Sequence, residues 1–133
     1  MAIEYKDTKD FTAEELKRLF LSVQWSSGAY PERLVVALRN SDTVLSAWDG
    51  DRLVGLINVL DDSIMTAYIH YLLVDPEYQG HGIGKELTRM TLEKYKEYLR
   101  ILLVSYEDGV AFYESLGFKT GHGKYPMFVT TLT

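Results

Sequence analysis

Three glycines at alternate positions, Gly80, Gly82 and Gly84, follow an apolar run and an Asp75-Pro76 turn and precede a long stretch of helical periodicity. The first N–H groups of a helix have no intrahelical partner and lie at the positive end of its dipole. Glycine lets the backbone take φ > 0 and approach a ligand closely. The chemistry this stretch offers is therefore anion binding, with phosphate or pyrophosphate foremost. Two known phosphate motifs fail on it. The phosphate-binding loop of nucleotide hydrolases needs Gly, four residues, then Gly-Lys-Ser/Thr, but Glu86 follows Gly84-Lys85 and Gln79 stands where the first glycine belongs. The dinucleotide fingerprint accepts Gly80 and Gly82 but meets Lys85 at its third glycine. What remains is Gln-x-x-Gly-x-Gly, carried by Gln79, Gly82 and Gly84.

The elements that must hold this loop can be read from periodicity. Ile3 to Tyr5 suits a short strand, and Thr12 with Glu15 forms a capping box ahead of a helix that buries Leu16, Leu19, Phe20 and Val23. Residues 24–30 break that pattern as a loop, and Pro31 opens a second short helix ending near Asn40. Residues 43–48, 52–60 and 65–74 read as three strands joined by turns at Asp49-Gly50-Asp51 and Asp61-Asp62-Ser63, an antiparallel meander with Gly55 as a candidate bulge. A helix from Gly84 to about Leu99 presents Ile83, Leu87, Met90, Thr91, Tyr95 and Tyr98 as its buried face. The apolar run 100–105 reads as an interior strand with a parallel partner, since strand, helix and strand form a crossover unit. Asp108 is the expected cap of a last helix over 109–116, Gly117 ends it, and residues 127–132 close as a strand.

With 133 residues and 47% hydrophobic content, the chain is expected to form a single domain over residues 1–133. It contains no cysteine, which removes disulfides, thiol catalysis and thiolate metal sites. A net charge of −5 argues against nucleic acid as the main partner and mildly favours a cationic substrate. No apolar stretch has the length of a membrane span, and the charged start lacks a signal-peptide core, so the expectation is a cytoplasmic protein without a membrane partner.

A second segment, Phe112-Tyr113-Glu114-Ser115-Leu116-Gly117-Phe118, sits on the last expected helix. Together with Gln79, Gly82 and Gly84 and the order β-α-α-β-β-β-α-β-α-β, it resembles the GNAT superfamily, the acyl-CoA-dependent N-acyltransferases. The resemblance covers the whole chain. It implies an α/β (α+β) GNAT fold, with a mixed central sheet of about six to seven strands flanked by four helices. It also implies an N-acetyltransferase that moves an acetyl group from acetyl-CoA to a primary amine of a small-molecule or peptide acceptor, by direct attack in a ternary complex and without a metal. A non-catalytic acyl-CoA-binding or sensing module is the alternative, and whether the chain forms a homodimer is left open.

By the same resemblance, the backbone of Leu72, Leu73 and Val74 would pair with pantetheine, and the Leu73 or Val74 amide would face the developing oxyanion. Gly80, His81, Gly82, Ile83, Gly84 and Lys85 would hold the pyrophosphate, with Gln79 flanking it. Tyr113 would protonate the leaving thiolate, a step suited to a phenol with a pKa of about 10, or would only pack on the donor. Phe112 fills core or touches pantetheine. Trp25 and Tyr30 would wall the acceptor site. Of His70 and Tyr71, strand alternation turns only one toward it, and no general base is assigned. Tyr106 and Gly109 depart from the family pattern, which often has Asn and Ala at these places, so the Asn contact is not carried over.

Overall fold

The computed structural model describes residues 2–132. Strand β1 (Ile3–Lys6) leads to helix α1 (Ala13–Ser22), whose start is closed by the expected capping box. Thr12 Oγ1 accepts the Glu15 N–H at 3.1 Å, and Glu15 Oε1 accepts the Thr12 N–H at 2.9 Å. A short 3-10 turn, Ser26–Ala29, precedes α2 (Pro31–Arg39). Strands β2 (Thr43–Asp49), β3 (Arg52–Asp61) and β4 (Thr66–Val74) form the meander. Asp62 Oδ1 closes the second turn by accepting the N–H groups of Ile64, Met65 and Thr66. Helix α3 (Ile83–Lys94), strand β5 (Arg100–Leu103) and helix α4 (Val110–Ser115) follow.

The sheet is ordered β1-β2-β3-β4-β5, antiparallel throughout except for the parallel β4–β5 pair. It separates two cores. On one face, Leu16, Leu19 and Phe20 of α1 and Leu34 and Leu38 of α2 pack on Val44, Leu53 and Leu56. On the other, Ile83, Leu87 and Tyr95 from α3 and its C-terminal cap pack on Leu45, Val54, Ile57 and Ile69. Alternation along β2 and β3 thus fills both layers, which is the layered arrangement of α/β proteins. Gly55 sets the spacing of the second layer. A Cβ there would stand 3.0 Å from Ile83 Cγ2 and 3.4 Å from Leu87 Cδ1, so the missing side chain lets the start of α3 lie close on the sheet. The register also shifts opposite Ala47 and Trp48, the bulge expected near this glycine.

Four expectations are corrected. The sheet has five strands rather than six or seven. Residues 127–132 border a common cleft through Phe128, Thr130 and Leu132, but they carry no regular structure, bend at Thr131 and join no ladder. Alternating apolar residues describe a surface that could pack, and only a partner ladder makes a strand; Pro126 also withholds an N–H at its start. Helix α3 stops at Lys94, not near Leu99. Its C-cap Tyr95 is buried and tied to the sheet, donating to Asp61 Oδ2 at 2.7 Å with Thr43 Oγ1 at 2.6 Å. The chain then turns, and the Leu99 and Arg100 N–H groups bond the Met65 carbonyl to start β5. Asp108 caps nothing, because it lies inside a 3-10 turn, Glu107–Gly109, that runs directly into α4.

Overfilling the Gly55 site tests this layer spacing. Gly55→Val should lower the unfolding free energy by about 1–3 kcal/mol, read as an earlier urea midpoint with an unchanged slope. A midpoint at or above that of the native chain would contradict the close approach of α3.

Candidate active site

Strands β4 and β5 pair only from Thr66 opposite Arg100 to Ile69 opposite Leu103. Beyond that point β4 continues to Val74 bonded to β3 alone, and a cleft of about 990 Å³ opens on its free side. The parting coincides with a β-bulge. Asn58 and Val59 are neighbours on β3, yet their partners are Tyr71 and Ile69, which leaves His70 as the extra residue. The alternation expected to set His70 and Tyr71 on opposite faces is therefore broken. Both rings line the cleft, stacked at 4.0 Å with 19° between their planes. Asn58, buried in the apolar run of β3, stabilises the bulge: its Oδ1 accepts the Tyr71 N–H at 2.9 Å while its Nδ2 donates to Ser41 Oγ at 3.1 Å. His70 also stacks on Tyr68 at 5.6 Å, and burial holds its imidazole below the ordinary histidine pKa.

The glycine loop lies at the far end of β4. Gly82, the N-cap of α3, has φ +81° and no side chain to cap the helix, and Gly80 has φ +84°. A Cβ at either position would meet nothing within 4 Å, so glycine is needed there for backbone conformation rather than for space. The first N–H groups of α3 accordingly have no capping side chain and face an open approach. The turn into this loop is clamped by Asp75. Its carboxylate accepts from Arg18 Nη1 at 3.0 Å, Arg52 Nη2 at 3.1 Å and the Glu77 N–H at 2.9 Å, and Arg18 also donates to the Leu53 carbonyl. Burial alone would raise this carboxyl, but the Glu77 N–H and the two guanidiniums outweigh it and hold the pKa below the ordinary aspartate value.

Of the expected loop residues, Gln79 lines the cleft with its amide turned back, donating to the Val74 carbonyl at 3.0 Å. The Ile83 side chain is buried in the core, leaving only its backbone for a ligand, and His81 and Lys85 are exposed. Leu72, Leu73 and Val74 all border the cleft, with the Leu73 side chain buried toward α1.

Helix α4 supplies the opposite wall. Phe112 reaches over Gly84, where a Cβ would stand 3.6 Å from its ring, so the two sequence motifs meet in space. Tyr113 lies beside it at 5.1 Å, and burial pushes its phenol above the ordinary tyrosine pKa. A Cβ at Gly109 would fall 2.7 Å from Ser105 Oγ, so a side chain there would require the Ser105 hydroxyl to turn away. Trp25 reaches the cleft and packs between Tyr71 and Tyr106, each at 6.0 Å, so Tyr106 forms part of an aromatic wall. Tyr30 does not join that wall; it lines an adjoining depression. Asn58, Arg18 and Arg52 escaped the sequence reading. A lone Asn inside the apolar run of β3 was the available signal for the first, and nothing local marks the arginines.

Residues 7–125 match the family model described as an acetyltransferase (GNAT) domain. The chain is similar to an uncharacterized ycf52-like N-acetyltransferase of Prochlorococcus marinus, 34% identical over 109 residues, which are 77% of this chain and 60% of the relative. It thus spans less than two thirds of that relative's length. An uncharacterized N-acetyltransferase ycf52 of Pyropia yezoensis is 30% identical over 127 residues, covering 87% of this chain and 72% of the relative. Among solved structures, a GNAT-family acetyltransferase from Streptococcus pneumoniae superposes with a TM-score of 0.79 at 30% identity, over 98% of this chain and 99% of that one.

Two substitutions probe the supports of the cleft. Asn58→Leu should cost about 1–3 kcal/mol, because it strands the Tyr71 N–H without a partner; amide exchange at Tyr71 should quicken, and an unchanged rate would argue against the Asn58 contact. Asp75→Asn should cost about 1–3 kcal/mol at neutral pH, limited by the partial exposure of both arginines. A depressed carboxyl stabilises the fold above its unfolded pKa and ceases to do so as pH falls through its folded value. The gap between native chain and Asp75→Asn should therefore close below about pH 4 in urea titrations, and a pH-independent gap would sink this assignment.

Proposed function

The chain belongs to the GNAT acetyltransferase family, and on that footing we propose that it transfers an acetyl group from acetyl-CoA to a primary amine by direct attack in a ternary complex. The observation that carries this reading is the free edge of β4 facing an apolar cleft, with the uncapped, glycine-opened start of α3 at one end of it. A long donor with amides in its middle and a pyrophosphate near one end suits those two features together. The amides would continue the ladder that β5 abandons, and the phosphates would meet the orphan N–H groups of α3. Acetyl-CoA supplies an activated thioester; the rest of the chemistry falls to side chains.

An amine attacks only when neutral, so its proton must leave as the new carbon–nitrogen bond forms. His70, accessible in the cleft and held neutral at neutral pH, is the acceptor we assign for that proton. As the carbon–sulfur bond breaks, the sulfur takes a proton from Tyr113, whose raised pKa keeps it protonated until then. Solvent returns one proton to Tyr113 and removes one from His70, so amine and thioester yield amide and thiol with no net change. The oxyanion would be stabilised by a backbone amide of Leu73 or Val74. A covalent acyl-enzyme is not needed: the sequence has no cysteine, Ser27 shares a hydrogen bond with the Tyr71 hydroxyl, and Ser105 donates to the Tyr106 backbone carbonyl rather than to a base.

Acetyl-CoA at about 100 times its Kd should stabilise the protein by about 2.7 kcal/mol, seen as a rise in Tm, and a suitable amine should then release CoA. Tyr113→Phe should keep the Tm rise and lose about 100-fold in kcat; undiminished turnover would refute the acid role. The acid limb of kcat/KM should fall below the ordinary histidine value of 6.5 and vanish in His70→Gln. Stabilisation without CoA release from any amine would point to a binding module instead.

A further inference from the structure

Next to the cleft lies a second depression, of about 570 Å³, between the start of α2 and residues 129–132. Ser27 and Tyr71 border both spaces, and their hydroxyls are bonded to each other at 2.9 Å. This pair, with Thr130 and Leu132, forms the boundary that the depression and the cleft share. The floor is apolar and hydroxylic, and among the described residues lining it Arg33 carries the sole charge.

Arg33 differs from the other arginines in its company. Arg18 and Arg52 are held by Asp75, Arg39 by Asp10 and Arg89 by Glu86, and Arg100, which has no carboxylate among the described residues, donates to Thr66 Oγ1. Arg33 has neither a carboxylate nor a hydrogen-bond partner among the described residues, and its guanidinium rests over the Tyr30 ring at 5.5 Å. A guanidinium stacked on an aromatic face keeps its edge donors free, and that edge matches a carboxylate or phosphate in two-pronged geometry. Among the described residues, no acidic side chain lines the depression to neutralise it or to receive a polycation.

We propose that this depression is the acceptor site, and that the acceptor is an amine bearing an anionic group, a carboxylate or a phosphate, which pairs with Arg33. The body of the acceptor lies along Tyr30, and the amine extends past Ser27 and Tyr71 toward His70. This deepens the transfer reading above and rests on it. It also reverses the expectation from net charge: the overall −5 favours cations at long range, whereas the local field in the depression favours an anion.

Matched acceptor pairs test the proposal: β-alanine against its amide for the carboxylate, and phosphoethanolamine against ethanolamine for the phosphate. CoA release should favour the anionic member of at least one pair by about tenfold or more in kcat/KM, in line with a charge-assisted hydrogen-bond pair. Arg33→Gln should abolish that preference while leaving stabilisation by acetyl-CoA intact, and Arg33→Lys should restore part of it. Calorimetric titration of the CoA-bound protein with the same pairs reads binding apart from turnover. Turnover with no preference for the anionic member, or a preference that survives Arg33→Gln, would overturn the site and spare the transfer reading. Arg33-dependent binding without turnover would do the reverse.

Discussion

Strand β4 is asked to satisfy two neighbours that diverge, and the shape of the molecule follows from how it does so. It keeps its ladder with β3 to the end but leaves β5 after Ile69. An extra residue in a strand disturbs the ladder and leaves backbone groups to be satisfied in another way. Here the spare residue is His70, and the nearby Tyr71 N–H is taken by the buried side chain of Asn58. The same bulge that frees the strand edge also brings His70 and Tyr71 together, so one backbone irregularity makes both the groove and much of its lining.

The other end of β4 is held differently. Asp75 ends the strand and gathers charge from α1 and β3 through Arg18 and Arg52. The glycine loop beyond it has few side chains of its own to fix its path. Anchoring the turn just before Gly80 and Gly82 lets a loop of positive-φ residues leave the strand in a defined direction. Rigidity at the anchor and openness at the loop are complementary, because orphan helix N–H groups gain from an anion only if they are already aimed.

Local rules carried most of the fold. The Thr12–Glu15 capping box, Pro31 at the start of α2, the turn at Gly50 and the parallel setting of β5 all depend on residues a few positions apart or on helix length, and each stands as expected. The glycine loop and the Phe112-Tyr113 segment could be named as a pair, and they do meet across Gly84. The misses share a cause: they are settled by partners distant in sequence. A strand pattern at 127–132 says nothing about whether a ladder awaits it. The period of two cannot show a bulge at His70, since any residue there continues the alternation. The clamp on Asp75 joins residues 18, 52 and 75, and the lack of a partner for Arg33 among the described residues is a property of the whole surface around it.

The order of the strands in space is their order in the chain, and this bears on how the molecule assembles. Neighbouring strands from β2 to β4 are joined by short turns, so each pairing closes a small loop at little entropic cost. The β1–β2 and β4–β5 pairs are different: the first must enclose α1 and α2, and the second the glycine loop and all of α3, before a first bond forms. Contacts that close long loops form late relative to local ones. The meander of β2 to β4 is thus a template that can exist before the crossover is complete, and the wall that turns a sheet into a groove is raised upon it.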